Sequence, residues 1–177
     1  MGRQVVLLRG INVGAANRIK MPELCEALVD AGIGSDPRTY MQSGNIGIDA
    51  SLGEIELTAA VAGLLAERFA IVAPVVVREA TELREVVNGN PFRDQAKLNP
   101  KALQVTFLAG FPTAETVSEL EARAVGGERV APLGRHLFSW HPNGLARSKM
   151  ALKLTPKSAP ATARNWTTVL ALLELTQ

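Results

Sequence analysis

Six segments between residues 4 and 78 alternate between strand and helix patterns, and their order constrains the fold more than any other feature of the sequence. In order, they cover residues 4–8, 22–31, 38–42, 46–49, 55–69 and 71–78. The second and fifth carry apolar residues at helical spacing, whereas the others are short runs bounded by turn residues, as strands are. The order strand, helix, strand, strand, helix, strand predicts a ferredoxin-like βαββαβ N-terminal half.

The second half of the chain repeats much of this order. After a short helix over residues 80–87 and a linker up to Pro100, the predicted elements are a strand, a helix, two strands and two helices. They cover, in that order, residues 102–109, 113–124, 128–132, 136–140, 145–152 and 162–175. Thr113 and Thr162 are suitable N-cap residues for two of these helices. We therefore predict an α+β protein with a related βαββα C-terminal half, and subdomains at residues 1–79 and 80–177, the second packed on the first.

The composition is that of a globular protein of moderate length. The chain has 177 residues, of which 47% are hydrophobic, enough for one domain or two small subdomains. The single cysteine, Cys25, excludes an intramolecular disulfide and is expected to be a core thiol of the first helix. The N-terminus lacks a signal-peptide pattern and no apolar run has membrane-spanning length, so we expect a cytoplasmic protein without membrane contact.

Charge is unevenly distributed along the chain, although the net charge is only +2. Residues 1–22 and 129–173 contain basic residues and no acidic ones, and sixteen of the seventeen acidic residues lie from Glu23 to Glu128. If the two ends of the chain meet in space, they form a positive face that attracts anions. The alternative is that these charges are scattered over the surface.

The loop after the first predicted strand, residues 9–14 with the sequence RGINVG, is the first candidate site. A glycine-rich loop between a strand and a helix directs backbone N–H groups at an anion. Side chains that would add hydrogen-bond donors are Arg9, Asn12, Asn17, Arg18 and Lys20. The loop matches neither the P-loop nor the dinucleotide-binding pattern. Alternatively, it caps the sheet, with the amides of Asn12 and Asn17 bonded to the backbone.

The segment from Thr39 to Asn45 is the second candidate site. Its polar and aromatic side chains are more numerous than the packing of a hairpin requires, and the four we assign to a ligand are Tyr40, Gln42, Ser43 and Asn45. These groups suit a base edge, a sugar or a peptide. The alternative is an exposed hairpin tip with Asn45 in a turn conformation.

The start of the last predicted helix, residues 162–166, is the third candidate. A helix start next to Arg164 and Asn165 would accept a phosphate or carboxylate, and Lys149 lies in the same acid-free part of the sequence. Trp166 offers a stacking face, but its place on the apolar side of the helix favours a core position.

Residue patterns typical of catalysis or metal binding are missing from the sequence. His136 and His141 have no third ligand nearby, so we expect no metal. Ser43 has no adjacent base and no nucleophile elbow around it. We expect no cofactor, and the sequence leaves open whether the protein is an enzyme.

Four segments, spread over nearly the whole chain, carry a resemblance to a known family and occur in the same order as in that family. They are residues 7–14 (LLRGINVG, followed by Asn17 and Met21), 39–45 (TYMQSGN), 90–92 (NPF) and 162–169 (TARNWTTV). In these segments the chain resembles an uncharacterised bacterial family, domain of unknown function 1697 (DUF1697). It departs at Ala15, where the family usually has a second glycine, and at Ala163, where threonine is common. The resemblance implies an α+β fold with ferredoxin-like elements and brings no established activity.

Three functions remain open from the sequence. The favoured one is the binding of nucleic acid or a nucleotide-like anion through a basic cleft, with a base stacked on Tyr40. The second is an enzyme that holds a small phosphorylated or carboxylated metabolite with Arg9, Lys20, Lys149 and Arg164. The third is a protein-interaction module in which the polar loops form structural corners.

Overall fold

The computed structural model describes residues 2–14, 17–150 and 160–177, and these form a mixed α+β protein with two four-stranded antiparallel sheets and six α-helices. The chain divides into two compact units. The first unit comprises residues 1–84 and 171–177, and the second unit comprises residues 85–170. Among the described residues, no helix combines the length and the apolar character that crossing a bilayer requires.

The first unit contains one of the two sheets. Its elements are β1 (Gly2–Leu8), α1 (Met21–Asp30), β2 (Ser35–Thr39), β3 (Asn45–Ala50), α2 (Glu54–Phe69) and β4 (Val75–Glu79). The strand order is β2-β3-β1-β4 and neighbouring strands are antiparallel. This element order agrees with the predicted one, and α3 (Ala80–Asn88) follows directly after β4.

One apolar face of this sheet packs against α1 and α2 in the core of the first unit. Val6 lies opposite Ile46 on one side and Val77 on the other, so the three side chains share one face. They belong to a fully buried cluster with apolar residues of both helices, including Leu24 and Leu57. Apolar residues at helical spacing on α1 and α2 therefore cover the face that alternating residues of the strands create.

The second unit contains the other sheet. Its elements are α4 (Arg93–Leu98), β5 (Leu103–Leu108), α5 (Ala114–Arg123), β6 (Arg129–Leu133), β7 (His136–Trp140), a 3₁₀ turn (Leu145–Arg147), β8 (Ala161–Asn165) and the start of α6 (Trp166–Glu174). The strand order is β6-β7-β5-β8, again with antiparallel neighbours. Thr113 caps α5 as predicted, because its hydroxyl accepts a hydrogen bond from the backbone N–H of Thr116.

The prediction of a helix over residues 162–175 is wrong in its first part. Residues 161–165 form β8, which pairs with β5 from Leu108↔Ala161 to Gln104↔Asn165. Pairing with a central strand overrides the local pattern, which has no apolar run of its own. Thr162 is therefore a buried strand residue and not an N-cap. The cap is Asn165, whose Oδ1 accepts the backbone N–H of Thr168 at 2.9 Å.

Four other predicted segments differ from the structure. The strand predicted over residues 71–78 begins only at Val75, as β4. The strand predicted over residues 38–42 ends at Thr39, so Tyr40 and Gln42 lie in the connection between β2 and β3. The linker predicted before Pro100 contains the short helix α4. The weak helix predicted over residues 145–152 is a 3₁₀ turn up to Arg147, and its last two residues lie outside the described part of the chain.

Candidate functional site

The side chain of Asn12 organises the loop between β1 and α1. Its Oδ1 accepts the backbone N–H of Ile19 at 2.9 Å, and its Nδ2 donates to the carbonyl of Ile19 at 2.8 Å. The amide of Asn17 donates to the carbonyl of Gly10 at 3.2 Å. Both asparagines have positive φ, a conformation that asparagine adopts more readily than most residues. Their amides hold the loop closed, as the alternative interpretation of this loop predicted.

The connection between β2 and β3 is held by Asn45, a fully buried residue at the start of β3. Its Nδ2 donates to the carbonyl of Tyr40 at 3.0 Å and to the hydroxyl of Ser43 at 2.9 Å. The backbone N–H of Tyr40 donates in return to the carbonyl of Asn45 at 3.1 Å. Asn45 thus shapes the connection from within, and the accessible groups are those of Tyr40, Met41, Gln42 and Ser43.

The two loops contact each other directly. The Nδ2 of Asn12 donates to the carbonyl of Gln42 at 2.6 Å, and the backbone N–H of Leu8 donates to the carbonyl of Gly44 at 2.8 Å. The structure therefore brings the first two candidate segments together within the first unit. We call the accessible part the loop-pair surface; it consists of Arg9, Asn12, Asn17, Arg18, Lys20, Tyr40, Gln42 and Ser43.

Charge on the loop-pair surface is moderate. Arg9 is half-buried and Arg18 is exposed. The ammonium of Lys20 lies 2.8 Å from the carboxylate of Glu23, and this hydrogen bond raises the pKa of Lys20. Lys20 is thus locally neutralised by an exposed ion pair of the kind that contributes little to stability.

Net charge differs in sign between the two units. The first unit has eight basic and eleven acidic residues, a net charge of −3, whereas the second has eleven basic and six acidic residues, a net charge of +5. The positive potential that the acid-free segments predict therefore belongs mainly to the second unit. The acid-free N-terminal segment lies in a unit with an overall excess of acidic residues.

The remaining predicted site residues lie in the second unit. Lys149 is exposed. Arg164 is half-buried on β8; its Nη1 donates to the hydroxyl of Thr162 at 2.6 Å, and burial lowers the pKa of Arg164 to about 10. Asn165 caps α6 with its carbonyl oxygen. That these residues share one cleft with the loop-pair surface remains a prediction.

A buried hydrogen-bonded chain in the second unit escaped the sequence analysis. The Nδ1 of His141 lies 3.3 Å from the carboxylate of Glu128, and its Nε2 lies 2.9 Å from the hydroxyl of Ser139. The order serine, histidine, carboxylate is that of a nucleophile, base and orienting acid. However, the side chain of His141 is only 1% exposed, so no substrate atom reaches it in this structure. We assign these hydrogen-bonded side chains a structural role.

The environment of His141 and Glu128 favours a neutral imidazole beside an ionised carboxylate. Burial lowers the pKa of His141, and the hydrogen bond with Glu128 offsets this only in part. Burial also disfavours the ionised form of Glu128, but hydrogen bonds from Ser148, the backbone of Val125 and His141 lower its pKa overall. Among the described residues, no group of three or more histidines, cysteines and acidic residues is placed to hold a metal ion.

We expect acid to destabilise the protein through His141. Because its folded-state pKa lies below the ordinary value of 6.5, protonation favours the unfolded chain as the pH falls below that value. The free energy of unfolding should decrease by about 1 kcal/mol from pH 7 to pH 5, and Glu128 should add a further loss below about pH 4.5. Urea unfolding across this range measures the slope. A His141→Gln variant should flatten it above pH 5, and an unchanged slope would contradict the assignment.

Comparisons with known proteins place the chain in a family. A family model described as protein of unknown function (DUF1697) matches residues 1–138, which is most of the chain, and the chain belongs to this family. The predicted family is thereby confirmed, and the match includes three of the four segments, since residues 162–169 lie beyond it. No curated protein matches the chain.

The fold has a counterpart among solved structures. The chain is similar to a conserved bacterial protein, SP0830 from Streptococcus pneumoniae, with a TM-score of 0.79 and 19% sequence identity. The similarity covers 99% of this chain and 98% of that chain. At this identity, the likeness concerns the fold alone.

Proposed function

We propose that this member of the DUF1697 family binds nucleic acid or a nucleotide-like anion, and that the loop-pair surface makes the contact. The observation that carries the proposal is the hydrogen bond from Asn12 to the carbonyl of Gln42 at 2.6 Å. It joins two loops, 30 residues apart in sequence, that were each predicted as a candidate site, one from its glycines and hydrogen-bond donors and the other from its excess of polar side chains. One continuous surface then offers an aromatic ring, amides, a hydroxyl and guanidinium groups.

The chemistry of this surface matches a single-stranded polyanion better than a buried metabolite. Tyr40 is half-buried and presents the only tyrosine ring of the chain, and bases of any sequence stack on such rings. Gln42 and Ser43 are exposed and both donate and accept hydrogen bonds. Arg18 adds an exposed positive charge to this surface.

The proposal includes the topology that supports these loops. We infer that both units are ferredoxin-like, because the strand orders β2-β3-β1-β4 and β6-β7-β5-β8 correspond element by element. The order strand, helix, strand, strand precedes the fourth strand in each unit. In the second unit β8 is the fourth strand, which the sequence analysis omitted, and the described part of the connection from β7 to β8 contains the 3₁₀ turn Leu145–Arg147. The loop-pair surface lies at one end of the first sheet, where β1 ends and β3 begins.

Binding should depend on Tyr40 and on salt. With a fluorescein-labelled oligothymidylate of about 20 nucleotides, fluorescence anisotropy should show affinity that falls about tenfold or more between about 50 and 200 mM salt. A Tyr40→Leu variant should bind about tenfold more weakly because it loses the stacking face, whereas Tyr40→Phe should bind like the unmodified protein.

A matched pair of arginine variants locates the contact. Arg18→Gln removes an exposed charge from the loop-pair surface, and Arg84→Gln removes an exposed charge from α3. We expect the first to weaken binding and to reduce its salt dependence, and the second to do neither. Equal losses in both variants would refute the location, and no salt-dependent binding at all would refute the function.

A further inference from the structure

The second unit contains a pocket that the proposed function does not use. It has a volume of about 490 Å³, within the range of small-molecule sites. Its walls come from the end of α3, from α4 and from the start of α6. Two of the four segments that carry the family resemblance meet here, because Asn90 and Trp166 both line the pocket.

Asn90 brings an unused hydrogen-bond donor to this pocket. The residue is only 4% exposed, and its Oδ1 accepts the backbone N–H of Phe92 at 2.8 Å. That hydrogen bond identifies the other terminal atom of the amide as the nitrogen. Within the described residues, this Nδ2 has no hydrogen-bond partner. The atom is accessible to solvent. Because solvent reaches this donor, it is available to an acceptor atom of a ligand in the pocket.

The charged side chains of the wall are cationic, and Asn88 adds a second neutral amide. Arg93 and Lys97 both extend from α4, and the Nζ of Lys97 lies 3.5 Å from Asp94 in an exposed ion pair. Arg93 also donates to the carbonyl of Asn88. Among the described residues that line the pocket, none is acidic. The polar side of the pocket therefore selects for an anion.

The rest of the wall is apolar and firmly held. Trp166 is buried, its backbone N–H donates to the carbonyl of Pro100 at 3.1 Å, and its ring centroid lies 6.3 Å from that of Phe138. The other apolar residues of the wall are Val87, Ala96, Pro100 and Leu170. A fixed indole beside aliphatic residues suits a flat or compact apolar group.

We propose that the second unit binds a small amphipathic anion, a molecule with a flat apolar body and one carboxylate, sulfonate or phosphate. The anionic group contacts Lys97, Arg93 and the Nδ2 of Asn90, and the apolar body lies against Trp166. This site shares no residue with the loop-pair surface, so variants in one site test it without altering the other.

The full chain can be tested with two fluorescent probes of nearly the same shape. The probe 8-anilinonaphthalene-1-sulfonate has an aromatic body and one anionic group, and N-phenyl-1-naphthylamine has the same rings without the charge. We expect saturable binding of the sulfonate, with energy transfer from tryptophan, and binding of the neutral probe that is weaker by about tenfold. Equal affinity for both probes would overturn the anion assignment.

Matched lysine variants test the location of the anionic group. Lys97→Gln should weaken sulfonate binding by about three- to tenfold and leave binding of the neutral probe unchanged. Lys101→Gln alters an exposed lysine that does not line the pocket, and it should change neither. Loss of sulfonate binding in both variants, or in neither, would overturn the proposal.

The NMR signal of the Trp166 indole N–H provides a second measurement of probe binding, which does not depend on the charge of the protein variant. The chain has two tryptophans, and a Trp140→Phe variant assigns the remaining indole N–H signal in a nitrogen–proton correlation spectrum to Trp166. We expect the sulfonate probe to shift the Trp166 signal in this variant. An unshifted Trp166 signal at saturating probe would overturn the proposal. The Tyr40→Leu variant should bind the sulfonate normally, which separates failure of this site from failure of the loop-pair surface.

Discussion

A Gly44→Ala variant is expected to lose about 2 to 5 kcal/mol of unfolding free energy and to separate the two loops. Gly44 has φ of +74°, where a side chain is strained, and a Cβ built at this position lies 2.6 Å from the Cβ of Leu8. The strain contributes about 1 to 2 kcal/mol and the overlap about 1 to 3 kcal/mol. Because the carbonyl of Gly44 accepts the N–H of Leu8, any shift that relieves the overlap also moves the second loop.

Gly10→Ala is the matched control for this substitution. Gly10 has φ of +73°, but a Cβ built there has no atom within 4 Å. The strain is therefore the same and the overlap is absent, so we expect a loss of only about 1 to 2 kcal/mol. Chemical denaturation of both variants measures the difference. Equal losses would show that Leu8 moves aside freely, and the tight contact between the loops would then carry no energetic weight.

The fold of the first unit follows from the sequence because local pattern and tertiary packing agree there. Apolar residues of β1 and β4 place Val6 and Val77 on one face, and the helical period of α2 places Leu57 against it. Each element can be recognised alone, and the observed order of strands buries these faces together. The predicted order strand, helix, strand, strand, helix, strand is accordingly the observed one.

The elements that escaped prediction depend on partners distant in sequence. β8 consists of Ala161–Asn165, in which small and polar residues give no strand pattern, and it forms because β5 presents an unpaired edge to it. α4 has six residues and only one buried position, Ala96, so no helical period can be read from it. In both cases tertiary contact decides the structure, and the propensity of the segment does not.

The candidate sites, like the fold, could be predicted from the sequence only in part. A glycine-rich pattern with donor side chains identified the first loop of the loop-pair surface, and polarity in excess of packing identified the second. The contact from Asn12 to Gln42 joins residues 30 positions apart and could not be predicted. The hydrogen-bonded chain through His141 depends on Glu128, and the pocket beside Trp166 depends on a helix that the sequence hides. Residue types signal which segments are unusual, but only the fold determines which of them meet.

Arg78→Ala is expected to destabilise the protein by about 3 to 5 kcal/mol, because it removes the cation of a buried ion-pair network. Arg78 lies on β4 and is 0% exposed. Its guanidinium lies 3.3 Å from the carboxylates of both Glu54 and Glu82 and donates to the carbonyl of Val77 at 2.7 Å. The alanine leaves a cavity and two carboxylates without their cation. Thermal and chemical unfolding measure the loss.

Arg78→Met separates packing from charge in this network. The methionine fills much of the space of the arginine stem. The methionine variant should therefore lose less free energy of unfolding than the alanine variant, by about 1 to 3 kcal/mol. Adding Glu54→Gln and Glu82→Gln to the methionine variant should recover stability, since neutral amides no longer repel each other across the vacated position. The carboxylates are 30% and 21% exposed, so water reaches both and limits the gain. If the alanine and methionine variants lose equally, the guanidinium charge and not the packing holds β4 to the ends of α2 and α3.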